Sequence, residues 1–260
     1  MNNEIMQNAI DTRLSRIIRV HITNRVHITN HSRKHKLADI QSISTSVLLN
    51  PICEKRRANG GVCAKCYAAR LTKCRKNLQP YLEENAKILT SHLLEDWEIP
   101  RFTTVLGRFE AFGDVINVTH ARNYIRIAHG NPFTHFAAWT KNPGIWLAAF
   151  HQEGGKPDNM TFVLSSFTLN TPDPVPAYIA EFVDHVFTVY DAEHYDFEGK
   201  PEECAGLSCI TCLKCYQRGG SYHIAELLRT GGGKKKSAKK TAKKTDKKTT
   251  GKAAKNSEGK

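Results

Sequence analysis

The sequence predicts an α/β fold: a partial (β/α) barrel or an open parallel sheet, with a Cys-rich C-terminal segment and a disordered basic tail. Three observations support this prediction. Apolar, β-branched runs alternate with segments of helical periodicity from Gln41 onward, all eight cysteines fall into two compact groups, and the last thirty residues change abruptly to a lysine-rich composition. Strands that alternate with helices form βαβ units, and such units build a parallel sheet.

The alternation comprises five predicted strands and four predicted helices. Apolar runs predict strands over 46–49, 102–112, 134–140, 160–167 and 185–190. Apolar residues at helical spacing predict helices over 79–96 and 119–129, and two shorter helices begin near a proline, at 143–151 and 174–184. Because an eight-stranded barrel needs more strands than these, an incomplete barrel or an open sheet is expected.

The N-terminal part carries a tandem repeat. Residues 19–24 and 25–30 both have the sequence Arg-Val-His-Ile-Thr-Asn, and their alternating apolar residues predict two half-buried strands. Apolar residues within 1–18 stand at the spacing of a short amphipathic helix. The chain is thus predicted to divide into an N-terminal arm with the repeat (1–40), an α/β core with a Cys-rich loop (41–200), a Cys-rich cluster-binding segment (201–230) and the tail (231–260).

The basic charge of the chain is concentrated in that tail. Residues 231–260 contain twelve lysines against Asp246 and Glu258, a net charge of +10, whereas the remaining 230 residues carry 26 basic and 23 acidic residues. A segment without large apolar residues cannot bury enough surface to fold. We expect non-specific nucleic-acid binding through backbone phosphates. A solubilising tail with no dedicated partner is the alternative.

The sequence shows no export signal and no membrane-spanning segment. The first twenty residues lack the continuous apolar stretch of a signal peptide. No run approaches the roughly 20 apolar residues that span a bilayer. We therefore expect a cytoplasmic protein with no membrane partner. In a reducing cytoplasm, a dense set of thiols indicates metal ligands rather than disulfides.

The eight cysteines are the predicted metal ligands. The first group has the spacing Cys-x9-Cys-x2-Cys-x7-Cys and the second the spacing Cys-x4-Cys-x2-Cys-x2-Cys; together they comprise Cys53, Cys63, Cys66, Cys74, Cys204, Cys209, Cys212 and Cys215. The short gaps of the second group favour an iron–sulfur cluster, because short loops can hold several corners of a cubane. Four thiolates can also close a zinc site, and a single site that draws on both groups stays open.

Polar residues stand at the ends of the predicted strands, where parallel sheets collect functional groups. The second strand is followed by Gly113 and Asp114, the third by Lys141, the fourth ends near Ser165 and the fifth near Asp191. The catalytic candidates are Asp114, Lys141 and Asp191. For the two aspartates, helix capping is an equally simple explanation.

Short motifs in this order are similar to the gene-product-88 family of phage and bacterial proteins. They are Cys63-Ala-Lys-Cys66-Tyr67-Ala68, Arg108-Phe-Glu-Ala-Phe-Gly113-Asp114 and Phe136-Ala-Ala-Trp139-Thr140-Lys141. The closing Cys-rich segment, followed by His223-Ile-Ala-Glu-Leu-Leu228, extends the likeness to roughly residues 40–229. The layout of that family resembles radical S-adenosylmethionine enzymes. The resemblance to a phage and bacterial family also implies that the protein acts in a bacterial or phage-infected host cell.

The resemblance implies a [4Fe–4S] cluster in which Cys53, Cys63 and Cys66 hold three irons. The fourth iron would bind the amino and carboxylate groups of S-adenosylmethionine, which is then cleaved reductively. The second group would hold an auxiliary cluster. The residues implied in cofactor binding are Tyr67 beside the cluster, Gly113 and Asp114 at the methionine amine, and Ser165.

This chain departs from the radical S-adenosylmethionine pattern in its first loop. Nine residues separate the first two cysteines where the usual loop has three, and Cys74 offers a fourth ligand that would close the cluster. The leading hypothesis is therefore an iron–sulfur enzyme of the radical S-adenosylmethionine-like type. The alternative is a non-catalytic zinc or iron–sulfur protein that binds nucleic acid through its basic tail.

Overall fold

The computed structural model describes residues 25–32, 36–75, 77–195, 202–204, 208–218 and 222–228. These residues form one eight-stranded, mostly parallel sheet with the order β1-β2-β3-β4-β5-β6-β8-β7. Its strands are β1 Thr29–Asn30, β2 Gln41–Ile43, β3 Leu106–Phe109, β4 His135–Thr140, β5 Met160–Ser165, β6 His185–Tyr190, β7 Glu202–Glu203 and β8 Tyr222–Leu227. Strand β1 pairs antiparallel with β2 at one edge, and the other pairings are parallel. The predicted α/β class is confirmed.

Seven α-helices and two short 3-10 helices lie within the described ranges. The α-helices are α1 Pro51–Ala58, α2 Gly61–Ala64, α3 Tyr67–Cys74, α4 Gln79–Ser91, α5 Val118–Gly130, α6 Pro143–Gln152 and α7 Cys209–Cys212. The 3-10 helices are Ala177–Phe182 and Lys214–Tyr216. Among these residues, no helix has the length and apolar character needed to cross a membrane.

The main core lies between one face of the sheet and helices α4, α5 and α6. Phe109, Phe136 and Phe162, from three successive strands, pack there with Tyr124 of α5 and Trp146 of α6. Strands β2 to β6 follow chain order, and the helices between them contribute to this single core. The sheet is therefore wound in one direction, as in a partial (β/α) barrel. These helices do not cover its other face.

That other face is covered by the C-terminal Cys-rich segment. Leu106 and Ala137, which alternate with the core phenylalanines along β3 and β4, pack with Tyr216 and the half-buried Cys209 and Cys215. Successive strand residues point to opposite faces. The same two strands thus present an aromatic core on one side and the second cysteine group on the other.

The prediction of a strand at 46–49 was wrong. Residues 47–49 form a turn, and the first parallel strand is Gln41–Ile43. Val47 packs against Ala68 and Ala69 of α3 instead of pairing in the sheet. The strand was missed because two of its three residues are polar, although Gln41 and Ser42 are buried.

The strands and helices predicted from residue 79 onward were found, some with the predicted boundaries and others shorter or longer. The runs 102–112, 134–140, 160–167 and 185–190 contain β3 to β6, and the segment 174–184 forms a 3-10 helix in place of an α-helix. Strand β8 and the three helices of the first cysteine loop were not predicted. In the second repeat copy only Thr29–Asn30 form a strand. Residues 1–24, with the predicted first helix and first repeat copy, and the tail 231–260 lie outside the described residues.

Candidate metal centre

A cavity of about 490 Å³ lies at the carboxyl ends of the central strands and along the sheet face that carries the second cysteine group. Six cysteines line it, three from each group: Cys53, Cys63, Cys66, Cys204, Cys209 and Cys215. The strand-end residues Gly113, Asp114, Lys141 and Ser165 line the same cavity, together with Tyr67. Its volume lies within the usual range of small-molecule sites.

Three short helices hold the first cysteine group in place. The side chain of Asn50 accepts hydrogen bonds from Ile52 N at 3.0 Å and Cys53 N at 3.3 Å, which caps α1 and fixes Cys53 in its first turn. Asn50 Nδ2 also donates to Asp114 O at 2.7 Å. Cys63 lies on α2, and Cys66 is the residue that precedes α3. The capped loop therefore brings three thiols to one end of the cavity.

A glycine turn returns the chain from α1 to α2. Gly61 has φ +59°, and a Cβ at this position would lie 2.6 Å from the backbone oxygen of Phe167. Val62 N donates to that same oxygen at 3.0 Å, so the turn is held against the chain segment after β5. Close backbone approach at positive φ explains why glycine occupies this position.

Cys74 is separated from the other three thiols of its group. It is the last residue of α3, it is exposed, and it does not line the cavity. Cys66 immediately precedes α3, and an α-helix rises 1.5 Å per residue, so the two cysteines are about 12 Å apart along the helix axis. Two ligands of one zinc ion are at most about 4.6 Å apart. Cys74 therefore cannot share a zinc ion with Cys66 in this fold.

Cys53 and Cys63 of the first group are half-buried, and two cations act on the Cys63 thiol. Burial raises the pKa of Cys53 and of Cys63, and the carboxyl groups of Asp114 and Glu110 add to the effect on Cys53. Lys141 and Arg56 act in the opposite direction on Cys63. Lys141 is itself buried, which lowers its pKa, while the charges of Cys63 and Asp114 favour its protonated form. The two cations can therefore offset the charge of thiolates bound to a metal.

Asp114, Lys141 and Ser165, predicted from three separate strand ends, form one hydrogen-bonded chain. Asp114 accepts from Thr140 Oγ1 at 2.6 Å and from Lys141 N at 2.8 Å. Lys141 Nζ donates to Ser165 Oγ, and the carbonyl oxygen of Lys141 accepts from Arg56. Burial raises the pKa of Asp114, and the hydrogen bonds from Thr140 and from the backbone N–H of Lys141 oppose that shift.

Gly113 and Tyr67 also lie where the loop meets the strand ends. Gly113 has φ +120°, and a Cβ there would lie 2.6 Å from Glu110 Oε2 and 2.7 Å from Thr45 O. The Tyr67 hydroxyl donates to Ala111 O at 2.8 Å, so α3 is joined to the loop after β3. Both residues line the cavity beside the first three thiols.

Asp191 is not part of this arrangement. It lies after β6, does not line the cavity, and accepts a hydrogen bond from Asn170 Nδ2 at 2.9 Å. His194 Nδ1 lies 2.7 Å from its other carboxylate oxygen. The hydrogen bonds from Asn170 and His194 hold the pKa of Asp191 well below its usual range. Its contacts are those of a residue that organises the turn after β6.

Sequence reasoning missed a buried carboxyl group at the cavity, Glu110. It has φ +57° and accepts hydrogen bonds from Thr45 Oγ1 and from the Tyr124 hydroxyl, both at 2.8 Å. Burial raises its pKa to about 8 despite these bonds. His120 Nε2 lies 3.4 Å away, and burial lowers the pKa of this imidazole to about 3. An acidic residue within an apolar strand was the signal that could have identified it.

The second cysteine group follows a tight reversal of the chain. Helix α7 carries Cys209 and Cys212, Leu213 then adopts φ +57°, and the 3-10 helix that follows contains Cys215. Burial raises the pKa of Cys215 to about 12, and also that of Cys209. Arg108 is the largest opposing charge at both thiols. Cys204, Cys209 and Cys212 are each close enough to Cys215 to raise its pKa through their charge.

Two basic residues that the sequence analysis did not select as candidates line the cavity with this second group. Lys36 Nζ donates to Cys204 Sγ at 3.2 Å and to Glu226 Oε1 at 2.7 Å. The Arg108 guanidinium lies over the Trp139 ring, 3.7 Å from its centroid. Within the described ranges, no three Cys, His, Asp or Glu side chains are already gathered around a point suited to a metal ion.

Polar atoms without partners surround the second group. Arg108 Nε, Ser208 Oγ and the Tyr216 hydroxyl are buried, and they make no hydrogen bond to any described residue. Ser208 and Tyr216 are the chain neighbours of Cys209 and Cys215. Buried polar groups in folded proteins nearly always have partners, so these donors favour an acceptor beyond the described residues. The sulfur atoms of an iron–sulfur cluster are such acceptors, and the all-thiol ligand set suits the same group.

Comparison with known proteins identifies one family. A family model described as gene product 88 matches residues 19–247, which is most of the chain. No curated protein matches the sequence significantly, and no solved structure does.

Proposed function

The chain belongs to the gene product 88 family, and from this premise we propose that it is an iron–sulfur enzyme of the radical S-adenosylmethionine-like type. One observation supports the proposal above the others. Cys53, Cys63 and Cys66 line the cavity, whereas Cys74 is exposed at the far end of α3. Three cavity thiols would leave one iron of a [4Fe–4S] cluster without a protein ligand.

Cys53, Cys63 and Cys66 would hold this first cluster. When bound, the cluster supplies the electron for reductive cleavage of S-adenosylmethionine, as the family resemblance implies. Arg56 and Lys141 would offset the negative charge of the three thiolates, since both already oppose the raised pKa of Cys63. The cavity walls would exclude water from the reacting groups.

The remaining residues near the first group have positioning roles. Gly113 and Asp114 would provide the surface beside the cofactor amine, with the Asp114 carboxylate already holding Thr140 and the backbone N–H of Lys141. Ser165 would act through Lys141, because its hydroxyl oxygen accepts a hydrogen bond from Lys141 Nζ. Tyr67 would fix the start of α3 next to the cluster through its bond to Ala111 O.

The second group would hold an auxiliary cluster through Cys204, Cys209, Cys212 and Cys215. Arg108 Nε, Ser208 Oγ and the Tyr216 hydroxyl are buried there and bond to no described residue, which supports a sulfide-containing group. Zinc bound by the same four thiolates is the rival occupant, and it belongs to the alternative function of a non-catalytic protein that binds nucleic acid through its tail.

Anaerobic purification followed by iron, sulfide and zinc assays tests the proposal. We expect a brown protein with about eight irons per chain that dithionite bleaches. Addition of S-adenosylmethionine should change the electron paramagnetic resonance spectrum of the cluster held by the first group. A colourless protein that contains only zinc would refute the enzyme proposal and favour the non-catalytic alternative.

A further inference from the structure

The second cysteine group is surrounded by cations and hydrogen-bond donors. Lys36 Nζ donates to Cys204 Sγ at 3.2 Å and to Glu226 Oε1 at 2.7 Å. Arg108 lines the same cavity as Cys204, Cys209 and Cys215. Its guanidinium lies over the Trp139 ring, with Cζ 3.7 Å from the ring centroid, and this cation–π contact restricts where its donors can point.

Two of the donors near the second group have no hydrogen-bond acceptor among the described residues. Arg108 Nε is buried and bonds to no described residue, and the Tyr216 hydroxyl beside Cys215 is in the same condition. Tyr216 packs in one cluster with the half-buried Cys209 and Cys215. Buried donors in folded proteins nearly always have acceptors, so a group held by the second cysteine group is expected to supply the acceptor that the described residues do not.

The first group differs in this respect. Arg56 donates to Lys141 O, and Lys141 Nζ donates to Ser165 Oγ, so both cations there bond to acceptors of the protein. The two groups therefore sit in different surroundings, although both line one cavity. The cations beside the first group donate to oxygen atoms of the protein. The donors beside the second group are available to a cluster that its thiols would bind.

We propose that the second group holds a redox-active iron–sulfur cluster whose reduction potential Arg108 and Lys36 raise. One-electron reduction adds a negative charge to a cluster, and nearby cations and hydrogen bonds to its sulfur atoms stabilise the reduced form. Arg108 and Lys36 act as positioning and tuning residues through the thiols. The proposal rests on the proposed function, since it requires an iron–sulfur cluster at the second site.

Redox titration of the full-length protein, followed by electron paramagnetic resonance, measures this effect. The midpoint of the second site is the one that remains in a Cys53→Ala/Cys63→Ala variant. In Arg108→Gln and in Lys36→Gln we expect reduction of that site to weaken at least tenfold, which is a midpoint about 59 mV lower for one electron. Arg108→Lys keeps the charge and loses the planar fork, so its midpoint should lie between those of wild type and Arg108→Gln.

Arg101→Gln is the matched control. Arg101 is exposed and donates to Gly130 O, so its loss should leave the midpoint unchanged. Circular dichroism shows which variants are folded, and Lys36→Gln decides the question if Arg108→Gln does not fold. An unchanged midpoint in an iron-loaded, folded variant would overturn the inference, and so would zinc as the sole metal of the second site. Absence of iron from both groups would instead overturn the proposed function.

Discussion

The Asp114 carboxylate and the Thr140 hydroxyl are joined by a 2.6 Å hydrogen bond between the loop after β3 and the end of β4. The same carboxylate accepts from Lys141 N at 2.8 Å and from Val115 N at 2.8 Å. Asn50, which caps the first cysteine helix, donates to Asp114 O. Asp114 therefore links two strand ends with the loop that carries Cys53.

Asp114→Asn should loosen this link. The amide keeps one acceptor oxygen and places an NH2 group either at Oδ1, which accepts from Thr140 and Val115, or at Oδ2, which accepts from Lys141 N, so a loss of roughly 1–3 kcal/mol is expected. Thermal unfolding measures the stability, and iron content per chain measures the effect on the loop. Asp191→Asn, outside the cavity, is the control and should leave iron content unchanged. Equal iron loss in both variants would contradict the role assigned to Asp114.

Cys53→Ala and Cys74→Ala should have different effects. Cys53 lines the cavity with two other thiols, and Cys74 is exposed at the end of α3. We expect Cys53→Ala to lose the iron of the first group and Cys74→Ala to retain it. Anaerobic iron and sulfide assays of the two purified variants provide the comparison. Iron loss from Cys74→Ala equal to that from Cys53→Ala would show that the cluster is closed by a fourth thiolate.

Gly113→Ala should destabilise the protein strongly. Its φ of +120° is unfavourable for alanine, and the new Cβ would meet Glu110 Oε2 at 2.6 Å and Thr45 O at 2.7 Å. A loss of roughly 2 kcal/mol or more follows from strain and steric overlap together. Urea unfolding gives the value.

Gly144→Ala is the matched control for this change. Gly144 lies in the first turn of α6, and a Cβ there has no neighbour within 4 Å. Alanine at this position should stabilise by up to about 1 kcal/mol, because it restricts the unfolded chain and favours the helix. If Gly113→Ala and Gly144→Ala have equal effects on the free energy of unfolding, neither the positive φ of Gly113 nor its close neighbours require glycine.

Glu110 should make stability fall as the pH rises from about 6.5 to 8. The folded protein holds this carboxyl group with a pKa of about 8, raised from an ordinary value of 4.5, so the unfolded chain loses its proton first. His120 acts oppositely, but only between its folded pKa of about 3 and its ordinary value of 6.5. Above that range the Glu110 contribution has a slope of up to about 1.4 kcal/mol per pH unit.

Glu110→Gln should remove that contribution. The difference in free energy of unfolding between wild type and Glu110→Gln, measured by urea denaturation at several pH values, isolates it from other titrating groups. Glu95→Gln, at an exposed position after α4, should leave the pH dependence unchanged. A difference between wild type and Glu110→Gln that does not vary from pH 6.5 to 8 would show that Glu110 is ionised in the folded protein.

Deletion of 231–260 should abolish loose binding to nucleic acid. The tail carries twelve lysines, and binding through phosphates weakens steeply with salt. Retention of the full chain and of the shortened chain on immobilised DNA, over a series of salt concentrations, measures the contribution. Undiminished binding by the shortened chain, or by the full chain at moderate salt, would exclude this role for the tail.

Much of the fold could be predicted because apolar periodicity is a local property. The runs that became β4, β5 and β6 are apolar and β-branched, and α4 and α5 show clear helical spacing. Strand β2 was not predicted because Gln41 and Ser42 are polar, as surface residues usually are, although both are buried. Their polar groups are satisfied by partners such as Thr103 N, Asn30 Oδ1 and the ring of His31, which no local pattern displays.

The sequence by itself determined that the chain is α/β and that its thiols form two groups near strand ends. Only the tertiary structure decided which thiols share the cavity. Cys74 is as close in sequence to Cys66 as many paired ligands are, yet a continuous helix carries it away. Likewise, parallel pairing brings Asp114, Lys141 and Ser165 together and leaves Asp191 apart. Spacing along a chain limits the distance between two side chains, but the packing of helices and strands sets their direction.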